Sequence, residues 1–373
     1  MSTSVVLVAA GKGERLGLGV PKAEAVIGGK TLFEHALSAV KSFNPAQLVV
    51  VAHPDLMESY RSIALTFGFR SLDVVEGGET RQDSVSNGLS KVSQPRVLVH
   101  DVARAFMPAA VFAEVEGALD KFECVIPVLT ISDTLKSVAG NTVVGTVDRS
   151  SVVKSQTPQG FHADSLRKTL SSTKSNFTDE SALMEASGFS VGTVPGSELG
   201  LKLTTPADLD WARLRFGGSR TGIGTDAHQF AESGTLTLGC LSWPELPALE
   251  GHSDGDSVAH AIVDALLGAA GLGDIGSNFG VDRPEYSGAS GAVFIQGALE
   301  LVAAAGYEPV NVAVQVIADK PKIGPRRLEL ETQLSALLGA PVSVLATTTD
   351  GLGFLADARG IAAVATALLR ERS

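Results

Sequence analysis

"SVVLVAAGKGERLG", residues 4–17, runs from an apolar stretch directly into a glycine loop that carries cations. Its first seven residues have the length and β-branched content of a buried strand. The loop places Lys12 and Arg15 at the end of that strand, and Lys22 follows in "PKA" (21–23). Outward from there, "TLFEHALSAV" has helical spacing and "QLVVVAH" reads as a strand. "DLMESYRSIALTFG" is a helix, "SLDVVEG" a strand, "TRQDSVSNGLSKV" a helix, and "RVLVHDVARAF" a strand running into a polar segment. Alternation of this kind predicts an α/β domain with a doubly wound, mostly parallel sheet covered on both faces. Ligands of such sheets sit at the carboxyl ends of the strands, where the glycine loop and Asp101 both fall.

The loop is a poor dinucleotide fingerprint. After Gly11 and Gly13 the next glycine is Gly17, one place late for G-x-G-x-x-G. The Lys-Ser/Thr pair of a P-loop is absent as well. Two readings stand: a tight turn, or a cradle of backbone N–H groups and cations for a triphosphate under attack at phosphorus.

The chain has 373 residues and a net charge of −11, which disfavours nucleic-acid binding in the absence of a basic patch. Small phosphorylated ligands need only a few cations in a cleft. The 2 cysteines, Cys124 and Cys240, form no C-x-x-C and no disulfide pattern. That usage, with no signal-peptide pattern and no apolar run near the ~18 residues of a membrane span, leads us to expect a cytoplasmic protein with no membrane partner.

The pattern changes around Trp211. "TTPADLDWARLRF" closes the first domain as a helix, and "GGSR" (217–220) reads as a linker. The expected organisation is a first domain over 1–211, a linker over 212–219 and a second domain over 220–373. The second domain reads as α+β. It has a helix from about Ser257, a helix "SGAVFIQGALELVAAAGY", a strand "NVAVQVIAD", a helix "RRLELETQLSALLG", a strand "VSVLATTT" and a last helix "GIAAVATALLR".

"HSDGDSVAH" (252–260) crowds two of the chain's 7 histidines into nine positions, and His228 lies upstream in "TDAHQF". On an extended segment, Asp226 and His228 share one face. On a helix, His260 shares a stripe with Asp256 and Asp264. Two imidazoles and a carboxylate with one open position describe a catalytic zinc site. The bland reading is a polar loop beside a solvent-facing helical histidine.

Several first-domain motifs occur together and in order: "LVAAGKGERLG…PKA", "GGETRQDSVSNGL", "VHDVAR", "SDTLK", "QTPQGF", "TDES" and "LKLTTPADL". Over residues 3–212 this resembles methylerythritol phosphate cytidylyltransferase. The resemblance implies that methylerythritol 4-phosphate attacks the α-phosphorus of CTP, with Mg²⁺ as cofactor, and that pyrophosphate leaves. By that match Arg15, Lys22 and Lys202 stabilise the transition state around the triphosphate, beside Gly11 and Gly13. Gly78, Asp83 and Ser84 read cytosine and ribose, although Asp83 and Ser84 could equally start a helix. Asp101 and Arg104 lie near metal and substrate. Thr134 and Arg149 hold the methylerythritol phosphate, contributed in the family by the other subunit of a dimer. Two positions depart from the family: Ala105 stands where Pro is usual, and Ala23 where a bulkier residue is common.

In the second half, "IGTDAHQF", "EGHSDGDSVAHAIVDALLGAAGLGDIG", "IADKPKI", "ATTTDGLGF" and "ARGIA" resemble methylerythritol cyclodiphosphate synthase over 220–371. The whole chain therefore looks like the fusion of the two enzymes. The match implies Zn²⁺, or a similar divalent metal, on Asp226, His228 and His260. It places a second divalent ion, Mg²⁺, on Asp350. His252 and Thr348 fall among the catalytic positions, and Ser253 on substrate phosphate. Asp274 and Gly276 contact ribose. Ala318, Lys320, Ile323 and Ala346 shape the cytosine loop, and Phe354 and Arg359 also contact substrate. The 2-phosphate would attack the β-phosphorus of the cytidine diphosphate moiety, expelling CMP. Family members are trimers with sites between subunits, so a trimerising domain joined to a dimerising one implies a hexamer.

Three departures bear on that site. Asp350 replaces the family's glutamate, Leu345 replaces a lysine, and Asp357 stands where an arginine is expected, with Arg359 two places on. The two reactions are not consecutive, since a kinase step lies between them and has no motif here; hand-over between the sites does not follow. The competing readings are another sugar-phosphate nucleotidyltransferase with a different zinc domain, or a binding protein that keeps loop and histidines as folding elements.

Overall fold

The computed structural model describes residues 3–11, 13, 16, 19–173, 175–251, 253–280, 288–350 and 359–372. Lys12, Arg15, His252, Phe354 and Asp357 lie outside the described residues. The chain divides into two compact units, Met1–Ala212 and Arg213–Ser373. No helix among the described residues is long and apolar enough to cross a membrane.

In the first unit, β1 (Thr3–Val8) leads through the glycine loop to a small ribbon of β2 (Val26–Ile27) and β3 (Lys30–Thr31). Then come α1 (Leu32–Phe43), β4 (Gln47–Ala52), α2 (Met57–Thr66), β5 (Leu72–Glu76), α3 (Arg81–Leu89) and β6 (Arg96–Asp101). After α4 (Ala109–Ala118) and β7 (Cys124–Thr130), a hairpin of β8 (Leu135–Ala139) and β9 (Thr142–Val147) pairs only with itself among the described residues. Then follow β10 (Val153–Ser155), β11 (Gln159–His162), α5 (Ala163–Ser172), α6 (Glu180–Ala186), β12 (Val191–Pro195) and α7 (Pro206–Phe216), which runs across the division at Ala212.

The main sheet runs β10-β7-β11-β6-β1-β4-β5, with β12 also on β7. β5, β4, β1 and β6 are mutually parallel, as expected. Beyond them β11 enters antiparallel between β6 and β7, so the sheet is mixed. Side chains alternate across β1: Val5 and Leu7 join Phe33, Leu37 and Phe112 on one face. Val6 joins Val85, Leu89 and Val99 on the other. Both faces are thus buried, which is why the parallel strands read as uninterrupted apolar runs.

In the second unit, β13 (Ser219–Gln229) is followed by a hairpin of β14 (Leu236–Leu238) and β15 (Leu241–Trp243), then α8 (Ser257–Ala270), α9 (Ile275–Phe279) and α10 (Gly291–Ala304). β16 (Tyr307–Ile317), α11 (Arg327–Leu338), β17 (Val342–Thr347) and β18 (Gly360–Glu371) complete it. Four strands form a sheet in the order β13-β18-β16-β17, and one core joins its inner face to α8, α10 and α11.

Two expectations need correction. "GIAAVATALLR" is not a helix but β18, paired antiparallel with both β13 and β16. Its alanines favour a helix, yet Ile361, Ala363, Ala365, Ala367 and Leu369 are all buried at a spacing of two, and central pairing overrides propensity. The linker expected over 212–219 is mostly regular structure. α7 continues to Phe216 because no breaker precedes Gly217, and β13 begins at Ser219.

Candidate functional sites

In the first unit, a cleft of about 1020 Å³ is lined by residues that follow β1, β4, β5 and β6. Register explains the convergence: Val8 lies level with Val51 on one side and Asp101 on the other, so neighbouring strands release their loops at one height. Gly11, Gly13, Lys22, Gly78, Ser84, Asp101 and Lys202 line the cleft together. Gly13 has φ 72, and a Cβ on it would fall 2.7 Å from the Lys22 Cβ, so only glycine lets the loop close against that lysine. Ser84 Oγ accepts from the Gly78 N–H at 3.0 Å and donates to the Thr80 carbonyl at 3.0 Å, fixing the loop after β5.

Asp101 is the electrostatic centre of this cleft. Its Oδ1 accepts from Arg81 Nε at 3.1 Å, and its Oδ2 meets Lys202 Nζ at 2.8 Å. Burial works to raise its carboxyl, but Arg81 and Lys202 outweigh burial and hold it well below the usual range. Burial, opposed by the Asp101 charge and helped by that of Arg104, pushes neighbouring His100 down to about 4, so that imidazole is neutral at ordinary pH. His100 Nδ1 pairs with Thr157 Oγ1 at 3.1 Å, and the same hydroxyl accepts from the Asp101 N–H.

Other expected residues sit elsewhere. Asp83 makes a capping box with Thr80, which is the helix-starting role. Arg104 donates to the carbonyls of Gly200 at 2.8 Å and Ser155 at 3.1 Å, and does not line the cleft. It thereby steadies the segment that carries Lys202. Thr134 and Arg149 are exposed, on the stretch around the β8–β9 hairpin, and Arg149 donates to the Ser132 carbonyl.

The second unit brings three expected ligands together. Asp226 and His228 project from β13 and His260 from α8, with candidate ligand atoms all within 4.8 Å of one another. Asp226 Oδ2 lies 2.9 Å from His228 Nε2 and 3.1 Å from His260 Nδ1. Burial raises the Asp226 carboxyl, but hydrogen bonds from the two imidazoles outweigh it and bring it to about 2. The bond to Asp226 raises His228 in turn. Small residues make the approach: a Cβ on Gly224 would stand 2.1 Å from the Ala261 carbonyl oxygen, so α8 lies directly on β13. Ser253 Oγ pairs with His260 Nε2 at 3.1 Å, leaving Nδ1 for the cluster.

A family model for 2-C-methyl-D-erythritol 4-phosphate cytidylyltransferase (IspD) matches residues 3–216, and one for the YgbB family matches 219–370. The bifunctional enzyme IspD/IspF of Clavibacter michiganensis subsp. michiganensis is 48% identical, over 98% of this chain and 94% of that protein. The bifunctional enzyme IspD/IspF of Rhodospirillum rubrum is 38% identical over 98% of both. The chain belongs to the bifunctional IspD/IspF family. It joins a cytidylyltransferase domain and a cyclodiphosphate synthase domain of isoprenoid-precursor synthesis. Among solved structures, 4-diphosphocytidyl-2C-methyl-D-erythritol synthase from Anaerococcus prevotii is similar, with a TM-score of 0.53 and 26% identity, over 57% of this chain and 95% of that one.

Within the IspF-like unit, two aspartates of "HSDGD" are braces. Asp256 is fully buried and accepts from the N–H groups of Gly239 at 2.8 Å, Cys240 at 2.6 Å and Ala259 at 3.1 Å. Asp254 accepts from the Gly291 N–H at 2.8 Å. Asp274 caps α9, and Asp264 accepts from the Ile275 N–H at 2.7 Å, tying the loop of Asp274 and Gly276 to the helix of His260. Ala318 donates to the Thr347 carbonyl at 3.0 Å, joining the loops of Lys320 and Ala346; Ile323 is buried. Asp350 accepts from Thr348 Oγ1 at 2.8 Å and is not in the metal cluster. Arg359 follows the cluster's strand instead, since its carbonyl accepts from the Phe230 N–H at 3.0 Å.

Sheet order separates these groups. Asp226 and His228 of the cluster stand on edge strand β13, while Ala346, Thr348 and Asp350 lie at the end of the opposite edge strand, β17. Three strand spacings of ~4.8 Å separate the two strands by roughly 14 Å, and both groups lie at the same end of one sheet.

Sequence reasoning missed Arg81, Glu180 and His53. Arg81 and His53 line the IspD-like cleft, and Glu180 binds Arg81. A signal existed for Arg81: a cation in the first turn of α3 opposes the helix dipole and needs an acidic partner.

Proposed function

We propose that the first unit transfers a cytidylyl group from CTP to methylerythritol 4-phosphate, releasing pyrophosphate. The second unit would cyclise the phosphorylated cytidylyl product to the 2,4-cyclodiphosphate with loss of CMP. The observation that carries this reading is the presence, in one chain, of a cation-lined cleft around Asp101 and a separate Asp-His-His cluster.

The phosphate nucleophile of the first step is already ionised at neutral pH, so the site needs charge neutralisation and positioning rather than a general base. Lys22 and Lys202, with Arg15, supply the cations. The backbone of Gly11 and Gly13 cradles the triphosphate, and Gly78, held by Ser84, faces the base. Asp101, with Glu79 also on the cleft lining, fits Mg²⁺, which commonly takes one or two carboxylates plus substrate phosphates and would screen the triphosphate. Thr134 and Arg149 would serve the cleft of a second copy. The exposure of Val138, Val143 and Val144 on the β8–β9 hairpin supports such a dimer.

In the second unit, the donor set and its convergence fit a tetrahedral divalent metal such as Zn²⁺, with one position open. Bound there, the metal would polarise the β-phosphate. Asp226, His228 and His260 hold that position, and Ser253 sets the tautomer of His260. His252, Ser253 and Phe354 are assigned to the substrate, and Asp274 and Gly276 to the ribose. Ala318, Lys320, Ile323 and Ala346 are assigned to the base. The ~14 Å between the β13 and β17 edges supports completion of the site by Thr348 and Asp350 of a neighbouring copy, where Asp350 would help hold Mg²⁺ and the ion would neutralise phosphate charge. A ring of copies contacting edge to edge supplies that geometry, and dimers of trimers give a hexamer. A cytoplasmic location fits the thiol usage.

The test is product analysis on the purified chain. CTP with methylerythritol 4-phosphate should yield pyrophosphate, and the phosphorylated cytidylyl intermediate should yield CMP. Failure of either product removes the corresponding half of the reading.

A further inference from the structure

Glu180 is only 2% exposed, on the first turn of α6, and the reaction as read above gives it no part. Arg81 Nη1 donates to both of its carboxylate oxygens at 2.8 Å. The rest of that guanidinium, Nε and Nη2, lies 3.1 Å from Asp101 Oδ1. Arg81 is therefore held on two sides. Lys202 meets Asp101 Oδ2 at 2.8 Å, with a side chain 41% exposed. The two oxygens of Asp101 thus differ: Oδ1 is fixed against an anchored guanidinium, and Oδ2 faces a cation on a flexible stem.

We infer that Glu180 is a positioning residue for the cytidylyl transfer, holding Arg81 on Asp101 Oδ1 and setting the charge of the cleft so that Oδ2 can receive a divalent cation. The inference rests on the reading of Asp101 as the carboxylate that faces metal and nucleotide. Five ionic groups meet here: Asp101, Glu180, Arg81, Lys202 and Arg104. They sum to one positive charge, and removal of Glu180 leaves two. At this range a single buried charge shifts ion binding by about tenfold or more. The sign of the effect depends on the ligand. Extra positive charge favours the CTP anion by itself and opposes a magnesium ion beside it. A residue that merely braced α6 would weaken both alike.

The experiment uses the full chain and its Glu180→Gln variant, with CTP titrated calorimetrically in magnesium-free buffer and at saturating magnesium. The variant should bind CTP without magnesium at least as tightly as the wild type. Its magnesium-dependent gain in affinity should fall about tenfold, and the magnesium concentration for half-maximal pyrophosphate release should rise about tenfold. Glu180→Asp, which keeps the charge, should stay within about threefold of wild type in all three. CMP release by the second unit reports intact protein throughout. Equal weakening of CTP binding with and without magnesium, or an unchanged magnesium requirement, would overturn the inference. If Glu180→Gln does not fold, a Glu180→Asp variant that loses the magnesium response overturns it as well. A wild-type protein that releases no pyrophosphate would instead remove the reading of the cleft itself.

Discussion

The close approach of α8 to β13 gives a sharp test of how the second site is held. In Gly224→Ala the new Cβ would lie 2.1 Å from the Ala261 carbonyl oxygen and 2.5 Å from the Ala265 nitrogen. Both are backbone atoms, so no rotamer change relieves the clash. About 1.3 Å must open before ordinary contact returns, at an overpacking cost of about 1–3 kcal/mol. His260 rides on α8 and Asp226 on β13, so the same shift stretches their 3.1 Å contact. Metal sites tolerate only about 0.2 Å of misplacement. Metal affinity should therefore fall at least tenfold, and the unfolding midpoint of the second unit should drop by several degrees. Gly268→Ala is the control: on the same helix its Cβ would meet only the Ile223 carbonyl, at 3.9 Å. Metal content after dialysis against a weak chelator, with scanning calorimetry, reads both variants. If Gly224→Ala matched Gly268→Ala in both measurements, helix–strand contact would not be what positions the ligands.

Three further outcomes follow from the same geometry. Without metal, the Asp226–His228 pair stabilises the second unit fully only between the usual values of 3.8 and 6.5: Asp226 is depressed to about 2 and its share is lost on acidification through that value, while His228 is raised and its share is lost as pH rises through the raised value. Calorimetry of metal-free protein should thus show a lower midpoint at pH 8.5 than at pH 6, and added zinc should reverse the order; equal midpoints would contradict the pairing. Asp264→Ala should weaken CMP binding several-fold by calorimetry with metal content unchanged, and Asp264→Asn, which keeps an acceptor for the Ile275 N–H, should restore most of it. Ser84→Ala leaves the Gly78 N–H without its acceptor and should raise the KM for CTP several-fold with little change in the unfolding midpoint, whereas an unchanged KM would remove Ser84 from the site.

Much of this was legible in the residues. The parallel core of the first unit could be read because strands buried on both faces leave apolar runs such as residues 4–10, and Asp226, His228 and His260 because ligand types recur at strand and helix spacing. β18 was not, because an alanine-rich strand covered by α8 carries no strand propensity, and its identity comes from pairing with β13 and β16. Nor were the separate tasks of the aspartates in "HSDGD" legible, since all five-residue neighbours look alike until Asp256 is seen capping α8 and holding the Gly239–Cys240 turn. Glu180 was hidden for a similar reason: it lies 99 positions from Arg81, and only the fold makes them partners.

The central claim is that one chain carries two chemically separate active sites, and cross-inactivation tests it most directly. Asp101→Asn removes the carboxylate of the first cleft, and Asp226→Asn removes that of the metal cluster. Measured side by side, Asp101→Asn should lose pyrophosphate release by about a hundredfold or more while releasing CMP at the wild-type rate, and Asp226→Asn should do the reverse. Loss of both products from either single substitution, or of neither, would contradict the account.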